Sequence, residues 1–299
     1  MIKADHLSKR FGRFEAVKDV QMHVKKGSIY GLLGSNGAGK TTLLKMLSGI
    51  MRADQGSAVI EEKSIFEQPE VKKRILFIPD QPYFFHQTSL LQMAHFYAAV
   101  YDRWNEERFQ QLYHHFNLNP KAKLSRMSKG MQRQAAFILT LSAMPDALIL
   151  DEPFDGLDPV VRQQVKNLLI QDVSSRSMTV LVSSHNLREM EDFCDAVGVM
   201  HKGRLLYERD LEELKTDVSK LQVAFKKMPD ESFIKGMDVM HYEKRGRVLT
   251  CIVRGNEGDI DRHVRSYEPA IYDVLPLTLE EIFTYEMGSV GYEIRNLIV

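Results

Sequence analysis

The chain has 299 residues, enough for about two domains at roughly 150 residues each. Forty basic residues balance forty acidic ones, which argues against a protein that grips nucleic acid through bulk charge. Hydrophobic residues at 44% and charged residues at 27% exclude a disordered chain and predict a real core.

Cys194 and Cys251 are too few and too far apart for a zinc cluster or a disulfide framework, so a reducing compartment is expected. Met1 to Arg10 mixes charges with apolar residues and lacks the apolar stretch of a secretory signal. No run reaches the roughly 18 apolar residues of a membrane span. The expectation is a soluble chain, or one that meets a membrane only through a partner.

Taken in chain order, Ile29 to Leu33 is an apolar run ending in a glycine-rich turn, and Leu43, Leu44, Met46 and Leu47 then follow a helical pattern. Strand, glycine loop and helix open a parallel α/β unit. Further buried strands are predicted at 75–78, 147–150 and 179–183, with helices at 90–101, 106–116 and 160–170. Asn105 suits a helix cap and Pro159 a first helical turn. From Thr216 the pattern changes. A strand at 221–225, a hairpin around Lys244-Arg245-Gly246, a strand at 270–275 and a helix at 279–287 suggest a small α+β appendage.

Gly34-Ser35-Asn36-Gly37-Ala38-Gly39-Lys40-Thr41 fits the P-loop pattern in every position. Glycines let backbone N–H groups curl around a phosphate, and the following helix aims its positive end at the same anion. Lys40 supplies a point charge and Thr41 a hydroxyl for Mg²⁺. A second feature is Asp151-Glu152, delivered by four apolar residues to a strand end, where ligand crevices of open α/β sheets lie. Two acids there divide roles: Asp151 for Mg²⁺, and Glu152 to take a proton from attacking water.

With these residues in view, the chain resembles the ATP-binding subunits of ABC transporters. Within residues 1 to about 215 the motifs fall in that family's order. Phe11 sits where the family places an adenine-stacking aromatic, although a packed strand aromatic is the other reading because Phe14 is nearby. The P-loop follows, with Thr42 completing the phosphate contacts. Met127-Ser128-Lys129-Gly130-Met131 resembles the family signature. Asp151-Glu152, Gly156-Leu157-Asp158-Pro159 and His185 after Val182-Ser183-Ser184 complete the set.

The resemblance implies a P-loop NTPase fold of ABC type with a mostly parallel sheet, a helical subdomain at about 83–145 and a C-terminal α+β domain at 216–299. It implies an ATPase using ATP and Mg²⁺. Glu152 would be the general base, and His185 would position the attacking water. Thr41, Asp80 and Asp151 would serve the metal. Ser128 and Gly130 would bind the γ-phosphate of ATP held by another nucleotide-binding domain, with Asp158 across the interface. The implied partners are that second domain, in a homodimer or with a sibling subunit, and integral membrane permease subunits. No nucleic acid partner is expected. The implied location is cytoplasmic, on the inner face of the cell membrane through the permease.

The chain departs from the family at several points. Asp80 takes the position of a usual Gln, with Gln81 next. Lys129 and Met131 alter the signature, Gln132-Arg133-Gln134 replaces a commoner Gln-Arg order, and Phe154-Asp155-Gly156 opens the D-loop. Ser-Lys-Gly-Met resembles exporters of the ABC-2 kind. Tyr83-Phe84-Phe85-His86 falls where the family meets its membrane subunit; packing between lobes is the alternative. A soluble ABC ATPase acting on ribosomes or DNA is the competing function, disfavoured because there is one P-loop and no sustained heptad pattern. A binding module without catalysis is a third reading, against which Glu152 and His185 stand. The appendage offers no chemistry, and Asn296-Leu297-Ile298-Val299 is an apolar end that packs, pairs with a partner or stays loose.

Overall fold

The computed structural model describes residues 1–226 and 228–289, so the apolar end at Asn296–Val299 lies outside the described residues. The chain forms two compact units. One comprises Met1–His185 and Phe193–Glu208; the other comprises Asn186–Asp192 and the described part of Arg209–Val299.

The first unit is built on a six-stranded sheet. Its order is Arg204–Asp210, Ala196–His201, Ile29–Leu33, Thr179–Ser184, Ala147–Asp151 and Ile75–Ile78. The pairings of 29–33 with 179–184 and 196–201 are parallel, as are those of 147–151 with 75–78 and 179–184. This is the mostly parallel α/β sheet expected. Strands 29–33, 147–151 and 179–184 are buried along their whole length, as strands covered on both faces should be. Each fully buried Leu, Ile or Val there contributes about 1.5–3 kcal/mol. The register has a consequence for chemistry. Leu33 pairs with Ser184 and Asp151 with Ser183, so the segments that follow these three strands all leave the same sheet edge.

The sequence pattern does not announce a second, antiparallel sheet of Phe14–Val24, Ile2–Phe11, Gln55–Ile60 and Lys63–Ser64. Its central strand, Ile2–Phe11, changes register at several points against Phe14–Val24. His6 and Asp19 adopt φ of 50° and 52°. These irregularities break the strict alternation by which a half-buried strand is read.

Helices Leu90–Val100, Glu106–His115 and Pro159–Arg176 form where expected, the last running beyond its expected end, and Lys129–Ser142 adds a helix after the signature. The Ser89 hydroxyl and the Gln92 side chain make a reciprocal cap on the first, and the Asn105 side chain accepts from Arg108 N on the second. Helix Lys129–Ser142 starts at Ser128, whose hydroxyl accepts from Met131 N. It then buries Phe137, Ile138, Leu139 and Leu141 completely. Its buried hydroxyls return to the helix itself, Thr140 to Ala136 O at 2.8 Å and Ser142 to Ile138 O at 2.6 Å, so none is left unbonded.

The second unit carries an antiparallel sheet in the order Asp238–Arg245, Val248–Arg254, Val218–Ala224, Ile271–Leu275. Gly246 at φ +63° opens the tight turn of its hairpin, a conformation glycine adopts without Cβ strain. Leu221, Val223, Cys251 and Val253 pack with Phe233, Ile260 and Val264 from helices Ser232–Lys235 and Glu257–Arg265. Neither of these helices stands out in the sequence pattern, because the first has only four residues and the second is mostly polar.

In the first unit Asp172 is fully buried on helix Pro159–Arg176. It pairs with Arg176 at 2.9 Å and with Arg108 from Glu106–His115. Removing the carboxylate leaves two mostly buried guanidinium groups without their anion. Asp172→Ala is therefore expected to destabilise this unit by about 3 kcal/mol, measured by urea unfolding.

Candidate active site

The glycine loop leaves the end of strand Ile29–Leu33. Gly39 has φ +104°, and a Cβ there would lie 2.3 Å from Ala16 O, so no other residue fits without displacing backbone. Helix Lys40–Leu47 begins from Gly39 with no side-chain cap and no acid in its first turn. Its first N–H groups therefore face an anion site rather than a side chain. Ser35 through Thr42 line a cavity of about 310 Å³ together with Phe14, Ala16, Asp80, Asp151 and Glu152, within the size range of ligand pockets.

Lys40 is only 6% exposed. Its ammonium donates to Gly34 O at 2.5 Å and lies 3.0 Å from Glu152 Oε1. Thr41 Oγ1 donates to Asp151 Oδ2 at 2.7 Å. Ser183 Oγ donates to Asp151 Oδ1 at 2.7 Å and accepts from Glu152 N at 3.0 Å. His185 Nδ1 lies 3.0 Å from Glu152 Oε2. The two acids are thus held apart. Asp151 faces the Thr41 and Ser183 hydroxyls, while Glu152 bridges Lys40 and His185. Glu152 achieves this with a left-handed backbone, φ 45°, which a non-glycine residue adopts only at a cost of about 1–2 kcal/mol. The donor set of Thr41 and Asp151, a hydroxyl and a carboxylate 2.7 Å apart, is of the hard oxygen type that suits Mg²⁺.

Among Phe11, Asp80, Ser128, Gly130 and Asp158, Asp80 alone lines the cavity. Phe11 is exposed and is not among the cavity-lining residues. Its cross-strand partner Phe14 lines the cavity instead. The hairpin turn sets the two rings opposite each other, and a motif position does not say which one reaches the loop. Asp80 lines the cavity, but its Oδ1 is 3.0 Å from Arg133 Nη2, an ion pair. Ser128 caps helix Lys129–Ser142, and Gly130 lies against the Gly156 carbonyl; neither lines the cavity. Asp158 caps helix Pro159–Arg176, accepting from Val160 N and Val161 N at 3.0 Å each.

Three participants escape the motif reading: Phe14, Ser183 and Arg133. Ser183 was legible in principle, since a serine opposite Asp151 in parallel register has little to do but bond it. Arg133 carried only the signal of a basic residue in an otherwise burying helix.

A family model described as "ABC transporter" matches residues 17–155. The ABC transporter ATP-binding protein YtrB of Bacillus subtilis is 30% identical over 289 residues, spanning 97% of this chain and 99% of that protein. The bacitracin transport ATP-binding protein BcrA of Bacillus licheniformis is 32% identical over 72% of this chain and 71% of its own length. Among solved structures, an ATP-binding subunit of an ABC transporter superposes with a TM-score of 0.67 at 26% identity, covering 72% of this chain and 92% of that one.

Ser183 is fully buried, and its hydroxyl serves both acids. Ser183→Ala orphans one carboxylate oxygen and one buried N–H. The expected loss is about 1–3 kcal/mol, read from the urea midpoint with secondary structure unchanged by circular dichroism.

Proposed function

Because the chain belongs to the ATP-binding subunits of ABC transporters, we propose that it powers a membrane transporter by binding ATP between copies of itself or a sibling and hydrolysing it. The observation that carries this reading is one cavity holding Lys40, Thr41, Asp151 and Glu152 beyond the ends of two parallel strands, 29–33 and 147–151, that flank strand 179–184. The triphosphate would occupy the loop and compete with Glu152 for Lys40. Released from that ion pair, Glu152 accepts a proton from water. The water oxygen bonds the γ-phosphorus as the bridging P–O bond breaks, leaving ADP and phosphate. His185, 3.0 Å from Glu152, holds the base and the water in line. Thr41 and Asp151 would hold Mg²⁺. The ion would neutralise charge on the phosphate oxygens, as Lys40 and the loop amides do.

Ser128 and Gly130 do not line the cavity of their own chain. This supports a head-to-tail pair in which the signature of one chain closes on the nucleotide of the other, with Asp158 at the junction. Tyr83 at 81% and Phe85 at 49% exposure support docking of a permease subunit at this aromatic segment, where the alternative of buried packing between lobes would hide them. Among the described residues, no helix is long and apolar enough to cross a membrane, so the membrane part would be supplied by that permease, with this chain on the cytoplasmic face. The bacitracin transport relative supports transport over action on ribosomes or DNA, and the Ser-Lys-Gly-Met signature supports export. We assign residues 1–215 to the ATPase domain, with its helical subdomain at about 83–145, and 216–299 to an accessory domain. The compact unit that breaks at 208/209 supports a boundary in this region.

Glu152→Gln keeps the shape of the site and removes the proton acceptor. Its mass in solution is expected to rise from monomer to dimer on adding ATP with Mg²⁺. A variant that binds ATP and stays monomeric at all concentrations would contradict pairing of the chain with itself.

A further inference from the structure

Arg133 lies one helical turn into Lys129–Ser142, five residues after Ser128, and is 7% exposed. A guanidinium so buried is costly unless its donors are used. Here they are. Nη1 donates to Glu152 O at 2.8 Å and also to Asp155 O. Nη2 donates to Asp80 O and lies 3.0 Å from Asp80 Oδ1. One planar fork therefore joins the signature helix to the Asp80 loop and to the turn that begins at the base. Within the turn, the backbone is bonded by Asp155 N to Glu152 O at 3.4 Å and Leu157 N to Phe154 O at 3.2 Å, and Phe154 and Leu157 are buried.

The consequence for Glu152 is specific. Its N–H is fixed by Ser183 Oγ at 3.0 Å and its carbonyl by Arg133 at 2.8 Å. Between these two anchors the residue sits at φ 45°. With both flanking peptides pinned, the side chain is directed to Lys40 and His185. Without the carbonyl anchor, the strained conformation would relax toward commoner backbone and the carboxylate would swing from its place.

We propose that Arg133 is the positioning residue of this ATPase, holding Glu152 in its left-handed conformation and tying the base to the Asp80 loop and the signature helix. This rests on the assignment of Glu152 as general base. Asp80 then acts as the counter-ion of Arg133 in addition to lining the cavity. The fork geometry makes Arg133→Lys a poor substitute, because one ammonium cannot reach three carbonyls of two segments in plane.

The test compares Arg133→Gln, Arg133→Lys and Asp80→Asn in the full chain, by single-turnover ATP hydrolysis, ATP affinity and amide hydrogen exchange. Arg133→Gln is expected to slow hydrolysis at least tenfold with ATP affinity within about threefold, since an anchor of the base affects the chemical step more than binding. Exchange at the amides of Glu152, Asp155 and Leu157 should rise at least tenfold while helix Pro159–Arg176 keeps its protection. Arg133→Lys should recover only part of the rate, and Asp80→Asn should cost less than Arg133→Gln. Hydrolysis within twofold of the parent chain would overturn the proposal, and so would exchange that rises uniformly as the unit destabilises. A parent chain with no hydrolysis at all would instead sink the ATPase reading; the exchange pattern then decides the anchor on its own.

Discussion

Two adjacent carboxylates at the end of a buried strand set the terms for everything around them. Strand Ala147–Asp151 is buried along its whole length, so its last residue emerges where desolvated charge must be paired. Asp151 ends the extended strand and Glu152 is left-handed, so the two side chains leave in different directions. Asp151 therefore turns to hydroxyls supplied by the loop helix and the adjacent strand, Thr41 and Ser183. Glu152 turns, through its left-handed backbone, to Lys40 and His185. Parallel pairing brings all these partners to one edge, and no antiparallel neighbour could present both a loop and a strand end there.

As it stands, the charges of the site are paired, with Glu152 Oε1 meeting Lys40 as an ion pair and not as a hydrogen bond. Lys40 is neutralised by Glu152, and Asp151 is bonded by hydroxyls. That pairing offsets the cost of burying a cation beside two acids. Under the proposed function, a phosphate entering the loop would replace Glu152 as the counter-charge of Lys40. The proposed base is then set free in the same event that delivers its substrate. Coupling of this kind needs no large motion in the sheet. It needs only that the backbone of Glu152 stays where its anchors put it.

The chemistry of this chain was legible because it depends on local constraints. Glycines with positive φ, a lysine and a threonine must follow one another closely to wrap a phosphate, and an acid pair needs an apolar strand to carry it. The buried parallel strands were legible for the same reason, as short continuous apolar runs. The antiparallel sheet at 2–24 and 55–64 was not, since bulges and left-handed residues at His6 and Asp19 scramble its alternation. Strands Ala196–His201 and Arg204–Asp210 were also missed. Side chains whose roles depend on contacts distant in sequence stayed hidden. Arg133 meets Asp80 from 53 residues away, and Phe14 rather than Phe11 reaches the cavity because of how a hairpin turns. No spacing rule encodes either fact.

The division of labour between the two acids is the central claim, and it is tested most directly by comparing Asp151→Asn with Glu152→Gln. ATP affinity is measured with and without Mg²⁺, and hydrolysis in a single turnover. The account predicts that Glu152→Gln keeps Mg²⁺-dependent ATP binding within a few-fold while hydrolysis falls at least about 100-fold, the scale of a lost general base. It predicts that Asp151→Asn loses the gain in affinity that Mg²⁺ confers. Two variants with the same profile, or a Glu152→Gln chain that hydrolyses ATP at nearly the parent rate, would contradict it.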